Sequence, residues 1–407
     1  MRLLRLEKSA HTTYWHQLYA GQEGLAQEGF DQQLAAYCAG GMQYAGAMRR
    51  ELAPLGYDVM EAFTDVKPLQ RAWAGEHGVR WNPGTWVADV AMAQVEWFRP
   101  DVLYIQDLRT LGHRWLAEAK QRCPGIRVTG GFICSPSYDV DTLRALDFIL
   151  TCTEEYFELF RAAGANVHLA HHVFEDDILR RLRPYGGRTR DIVFSGSLWR
   201  HQLGHHEREA VLEKMVSFPG FELYCPQAEL TTAADLAEWV LRSAAYTLQR
   251  GLELARVART TRRSLPIIGR AATWPGWPMR QLNSHLKRHM LRPVFGIEMF
   301  ELLRSARVCL NVVDHKEAAN IRLYEATGVG TCLLTSYRPN MARLFVPDTE
   351  VVLFRSPDEC WEKARWLIDH PEDAEQIARR GQERTLREYT YRTRAALVDR
   401  VIRDLLR

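Results

Sequence analysis

The sequence predicts an α/β protein made of two doubly wound domains that face each other across a cleft. Three observations predict it. Short apolar runs alternate with amphipathic helical stretches along most of the chain, the pattern of parallel sheets covered on both faces. The alternation runs twice, with a polar, arginine-rich break between the runs. A length of 407 residues suits two cores of ordinary domain size. The expected division is residues 1–180, 181–390 and a closing helix, 391–407, long enough to cross back onto the first domain.

In the first half, the apolar run 3–6 opens a sheet. A single long helix is expected over 31–52, stopped by Pro54 and Gly56. A strand follows at 57–59, a helix at 86–98 ending before Pro100, and a buried strand at 101–105 closed by Gln106 and Asp107. A helix at 111–122, strands at 126–129 and 148–152, a helix at 154–163 and a strand at 167–170 complete the half. The second half opens with a strand at 191–194, a helix at 207–216 and a strand at 221–225. Helical character is clear over 236–259, and a Trp/Pro-rich stretch follows at 274–278. Regular alternation returns with a helix at 297–305, a strand at 308–313, a helix from about 320 and strands at 332–335 and 351–354. Helices at 357–369, 371–388 and 393–406 end the chain. No short repeat is visible.

Composition narrows the function classes. Hydrophobic residues make up 46% and charged residues 25%, ordinary globular values. Fifty-three basic against 50 acidic residues leave too small a surplus for nucleic-acid binding to be the main task. Eight cysteines (38, 123, 134, 152, 225, 309, 332 and 360) form no CxxC pair. They read as small buried hydrophobes in a reducing compartment. Residues 1–6 are too short and too broken by arginine for a signal peptide. No apolar run nears the ~20 residues of a membrane-spanning helix. A cytoplasmic location is expected, with peripheral membrane contact left open. The histidines at 171, 172, 201, 205 and 206 lack the carboxylate or cysteine company of a typical metal site, so no metal or bound cofactor is expected.

The segment 314–326 carries most of the chemistry. It leaves a strand, passes Glu317 in the loop and enters a helix near Asn320 and Ile321 that carries Arg322 and Glu325. A helix N-terminus presents unpaired N–H groups and partial positive charge, a seat for a pyrophosphate. A carboxylate in the helix can accept both hydroxyls of a ribose, and one in the loop can accept hydroxyls of a sugar. Arg322 would neutralise a diphosphate. In Ser195-Gly196-Ser197, small residues at a strand end allow a phosphate to approach backbone amides, with Arg200 nearby.

The region 293–397 resembles the C-terminal donor domain of GT-B glycosyltransferases, specifically the CgeB-like, spore-maturation-type group. The stretches that carry the likeness are 320–326 (NIRLYEA), 331–335 (TCLLT), 350–354 (EVVLF) and 388–392 (EYTYR). The spacing of Glu317 and Glu325 also resembles that of retaining group-1-type glycosyltransferases. The first half resembles the same group more faintly, at 99–107 and 147–151. The resemblance implies a GT-B fold of two Rossmann-like domains. It implies Glu325 on the donor ribose, Glu317 facing the sugar or its phosphates, and Phe295 and Gly296 lining the base pocket. It departs from the retaining pattern where Ser9-Ala10-His11-Thr12 replaces a Gly-Gly turn after the first strand, which leaves retention and inversion open.

An inverting enzyme needs a general base at the acceptor hydroxyl. Asp107, ending a buried strand, and His16, in an aromatic loop after the first strand, are the candidates. The resulting expectation is a metal-independent transfer of sugar from a nucleotide diphosphate-sugar to a hydroxyl of a glycan or other acceptor. A nucleotide-sugar epimerase and a non-catalytic nucleotide-sugar-binding protein on the same fold are the alternatives.

Overall fold

The computed structural model describes residues 1–407 apart from 10, 43, 109, 136–138, 199–204, 266, 267, 270, 272–276 and 279–282. Two six-stranded, wholly parallel sheets organise the chain. The first contains β1 (Arg2–Glu7), β2 (Asp58–Phe63), β3 (Val102–Ile105), β4 (Val128–Phe132), β5 (Phe148–Thr151) and β6 (Val167–Leu169), in the order β2-β1-β3-β4-β5-β6. The second contains β7 (Arg190–Ser195), β8 (Phe221–Tyr224), β9 (Met290–Leu291), β10 (Ala306–Asn311), β11 (Cys332–Ser336) and β12 (Val352–Phe354), in the order β12-β11-β10-β7-β8-β9. The second sheet therefore has the full dinucleotide-fold order, reversing direction between β7 and β10. The first reverses between β1 and β3.

Both faces of each sheet are covered, and alternate residues feed opposite cores. In the first sheet Leu4, Leu6, Leu103 and Ile105 pack into one cluster, and Leu3, Val102, Tyr104 and Phe148 into another. In the second, Ile192, Phe194, Val308 and Leu310 face one core while Val193, Cys309 and Leu333 face its opposite. The Tyr391–Leu405 helix returns to the first sheet: Tyr391, Ala395, Val398 and Ile402 pack with Leu3, Met48 and Tyr104. The two crossings between the sheets lie side by side. Phe174 N–H donates to the Tyr389 carbonyl at 2.7 Å, and Tyr391 N–H to the Phe174 carbonyl at 2.9 Å.

Three sequence expectations need correction. The stretch 31–52 is two helices, Phe30–Ala39 and Ala47–Leu52, because Gly41, Tyr44 and Gly46 between them all have left-handed backbones (φ 69°, 66° and 77°). A helix absent from the sequence reading, Lys67–Glu76, follows β2. Cys134 and Cys152 are disulfide-bonded, with Cα atoms 5.7 Å apart. The parallel register of β4 and β5, which pairs Phe132 with Leu150, carries these cysteines to the same level two residues later. The other six cysteines are free.

Candidate nucleotide-sugar site

The cavity that matters sits at the direction reversal of the second sheet, where ligands of such folds bind. Ser195, Gly196 and Ser197 line it as they leave β7, Tyr224 and Pro226 from β8, and Ile321, Arg322 and Glu325 from beyond β10. Pro293, Val294, Phe295, Gly296 and Met299 form another wall, and His11, Gly41 and Met42 close it from the first domain. Its enclosed volume is about 90 Å³, and it opens to solvent on one side.

Glu325 lies in the Arg322–Gly328 helix and is 8% exposed. Burial raises its pKa above the carboxylate norm, and the neighbouring Arg322 guanidinium opposes the rise. Arg322 Nη1 stands 2.9 Å from Glu325 Oε2, but the approach is not aligned for a hydrogen bond. Oε2 has no hydrogen-bond partner among the described residues, and neither has Arg322 Nε. Arg322 Nη2 donates to the Ser195 carbonyl at 3.0 Å, which ties the helix start to the end of β7. Buried polar atoms are nearly always satisfied, so two unspent ones in a cavity wall mark a place for a polar ligand.

The first turn of this helix uses much of its own donor capacity. Leu323 N–H donates to the Asn320 carbonyl, and Tyr324 and Glu325 N–H to the Ile321 carbonyl. The amides at 321 and 322 lack such acceptors. Asn320 departs from its expected role: its side chain pairs reciprocally with Asn311 (2.6 and 3.2 Å) and does not line the cavity. Asn311 in turn donates to Thr335 Oγ1 at 3.0 Å. The pair anchors the loop to the strand ends.

Gly196 and Ser197 line the cavity as expected of a phosphate turn. A Cβ at Gly196 would stand 3.1 Å from the Phe194 ring, so the backbone there is closely packed. Arg200 lies outside the described residues. Phe295 and Gly296 line the cavity and also form the seam between domains. Gly296 has φ 54°, a Cβ on it would fall 1.8 Å from the Gly40 carbonyl oxygen, and Ile297 N–H donates to that oxygen at 2.9 Å. Only glycine fits both the conformation and the approach.

The three catalytic candidates lie elsewhere. Glu317 Oε2 accepts from Glu154 N–H at 2.9 Å, so it caps the Glu154–Ala162 helix of the first domain. Lys316 and Glu155 pair beside it at 3.1 Å. Asp107 is 4% exposed and accepts from Thr64 Oγ1 at 3.0 Å. It does not cap the next helix, whose N-cap is Gly112. His16 is exposed on the Thr12–Gly21 helix, not in a loop. None of the three lines the cavity.

His11, which the sequence reading quoted only as part of the replaced glycine turn, does reach it. Its ring lies 5.4 Å from that of Phe295, across the domain seam. Desolvation and the Arg322 charge hold its pKa below the usual imidazole value. Two other groups of metal-type side chains gather among the described residues, Cys134–Cys152–His172 and His113–Asp139–Asp141; neither belongs to this cavity, and the first contains the disulfide. In the tryptophan-rich stretch, 274–276 lie outside the described residues; Trp277 is exposed and is not among the lining residues.

Comparison with known proteins bears on family and fold. Residues 223–399 match the model of the family described as Glycosyl transferase-like. The matched stretch holds Tyr224, Phe295, Arg322 and Glu325. No curated protein matches the sequence. Among solved structures, HepE from Anabaena in complex with UDP-glucose is 14% identical, with a TM-score of 0.53 over 99% of this chain and 100% of that one. Sucrose-phosphate synthase from Thermosynechococcus elongatus is 10% identical, with a TM-score of 0.56 over 100% and 99%. A glycosyltransferase from Rickettsia africae is 7% identical, with a TM-score of 0.55 over 100% and 98%. At such identities the likeness is one of fold, and the fold is GT-B.

Proposed function

We propose that the chain is a glycosyltransferase that takes a sugar from a nucleotide diphosphate donor bound in this cavity and moves it to a hydroxyl acceptor. One observation carries the reading: a buried carboxylate and a half-buried guanidinium, each with an unspent polar atom, face one cavity at the reversal point of a nucleotide-type sheet. Glu325 accepts the ribose hydroxyls. Arg322 and the amides at 321 and 322 take the diphosphate, so the charge that grows on the leaving group meets preorganised positive groups. Gly196 and Ser197 admit the phosphates to the backbone, and Phe295 supplies a flat wall for the base.

The family match over 223–399 and the shared fold with a structure holding UDP-glucose support a nucleotide-sugar donor. In this reading the chain is one of the CgeB-like group, which the likeness at 320–326 supports. Retention of configuration is the proposed outcome. Glu325 is the one carboxylate among the described lining residues, and it is committed to the nucleoside, so the departing diphosphate takes the acceptor proton. Arg322 carries the charge-neutralising role without a divalent ion, and activity is expected to survive a chelator. The acceptor is a glycan or another hydroxyl compound.

A thermal-shift panel of nucleoside diphosphates identifies the base, since a ligand of the native state stabilises it. Calorimetry on Glu325→Ala then tests the ribose role. Losing charged hydrogen bonds to two hydroxyls is expected to cost about 3 kcal/mol, somewhat over a hundredfold in Kd, while the melting temperature of the free protein holds. Unchanged affinity rejects the role, and conversion of the donor to an isomer without transfer rejects the reaction class.

A further inference from the structure

The Thr232–Leu254 helix, between β8 and β9, has its amphipathicity turned outward. It has 23 residues, about 35 Å of helix. Its most buried members are polar: Asp235 and Gln249 are each 1% exposed. Gln249 Nε2 donates to the Arg262 and Ile268 carbonyls at 3.0 and 2.9 Å, and Glu238 pairs with Arg242 at 3.0 Å. The inner side is thus a polar contact, although Gln249 Oε1 and Ser243 Oγ have no hydrogen-bond partner among the described residues. The outer side is apolar: Leu236, Val240, Leu241 and Leu248 lie 46–71% exposed, and Leu254 at the end 82%. At helical spacing Leu236, Val240, Leu241 and Leu248 share one continuous face with the exposed Ala237 and Ala244. Soluble proteins seldom leave such a face uncovered without a partner.

The helix itself carries two basic and three acidic residues, so the charge of the segment that follows it along the chain says which partner. From Arg250 to Arg292 the chain carries ten basic residues and a single acidic one, Glu253, although the whole protein is only +3. Among the described ones, Arg250, Arg256, Arg288 and Arg292 are exposed. A second copy on this face would bring two such stretches together and repel. An anionic lipid surface would attract them and receive the leucines. No helix among the described residues is long and apolar enough to cross a membrane, so the helix lies on the surface.

We propose that the outer face of the Thr232–Leu254 helix seats on an anionic bilayer. Glu238 of the same helix lines a second cavity with Lys8, Ser9 and Thr12, which shares His11, Ser197 and Pro226 with the donor cavity. Docking sets that cavity behind the helix, about one helix diameter (~10 Å) from the membrane. The consequence for the reaction, which rests on the transferase reading, is an acceptor carried in the membrane plane.

The test is vesicle flotation of the full chain without any donor, so its result stands apart from the transferase reading. Vesicles with about a third phosphatidylserine are expected to carry the protein, phosphatidylcholine alone to leave it behind, and added salt to release it. Combining Leu241→Glu with Leu248→Glu, both exposed, is expected to cut the bound fraction roughly tenfold or more without moving the melting temperature. Absence of flotation, equal flotation on neutral vesicles, or flotation unaffected by the two substitutions overturns the proposal. So does a dimer in vesicle-free sedimentation that these substitutions dissociate, because a second copy then covers the face.

Discussion

Each half of the molecule holds an arginine beside a glutamate near the carboxyl end of its sheet, and the two pairs have opposite surroundings. In the first, Arg5 is 1% exposed and sits between Glu7, its ion-pair partner two residues on, and Glu61 of β2, which the parallel register sets directly opposite. Its other donors reach Gln106 Oε1 at 2.9 Å and the Tyr44 carbonyl at 3.1 Å. Glu61 also accepts from the Gly46 and Arg49 amides at 2.8 and 2.9 Å, holding the start of the Ala47–Leu52 helix. The face bearing Arg5 is closed by the final helix, whose Tyr391 lies close enough to act on its charge. In the second half Arg322 and Glu325 keep unspent atoms and face a cavity. Glu7 Oε2, like Glu325 Oε2, lacks a hydrogen-bond partner among the described residues, so what separates the pairs is access: one is sealed under a helix and holds the scaffold, the other lines a cavity and is placed for a ligand.

The largest expected effect breaks the first pair. Arg5→Ala leaves two buried carboxylates without their cation, and a loss of about 3–5 kcal/mol in urea unfolding is expected. Arg322→Ala, tested alongside, should cost far less stability and appear instead as weaker nucleotide binding. Equal destabilisation by both would erase the distinction between scaffold and site.

The next effect is read along the pH axis. Burial pushes the Glu7 carboxyl up to about 7, against the pull of Arg5. Its folded-state pKa therefore exceeds its unfolded value, so the folded protein holds a proton that the unfolded chain gives up. The associated stability is fully present below about pH 4.5 and is lost as pH rises towards 7, with a total on the order of 3 kcal/mol. Glu7→Gln should flatten this part of the stability curve. A slope identical to that of the wild type would place the titration on another group.

How much of this was legible beforehand follows from where each interaction closes. Strand positions other than β9, and the two sheets, were legible, because parallel strands buried on both faces leave apolar runs that need no partner to be seen; the two-residue edge strand β9 leaves no such run. That Gly196, Phe295, Arg322 and Glu325 lie along one cavity was legible for a related reason: the strand–helix–strand frame fixes what lies at a sheet's carboxyl end. The break within 31–52 was not, since Tyr44 adopts a left-handed backbone that its residue type does not announce. The burial of Arg5 and Glu7 was hidden because a helix some 390 residues away, counted along the sequence, covers them. The positions of His11, Glu317 and Asp107 were not legible for one reason: each is decided by a partner distant in sequence, Phe295, the Glu154 amide and Thr64 respectively. The exposure of His16 follows from the phase of the Thr12–Gly21 helix.

The smallest expected effect separates the seam from the site. Glu317 holds the Glu154 amide across the domain boundary, a negative charge at a helix N-terminus. Such an interaction is worth about 0.5–1 kcal/mol near the surface, and Glu317→Gln keeps an acceptor there while removing the charge. A drop of a degree or two in melting temperature is expected, on the order of what that energy produces in a chain of this size. The maximal transfer rate should stay within a few-fold of the wild type, because the carboxylate does not line the donor cavity. A fall in kcat of several hundredfold or more, with melting unchanged, would mean that the domains close further during turnover and carry Glu317 to the sugar. The boundary between scaffold and site would then have to be redrawn through the loop that follows β10.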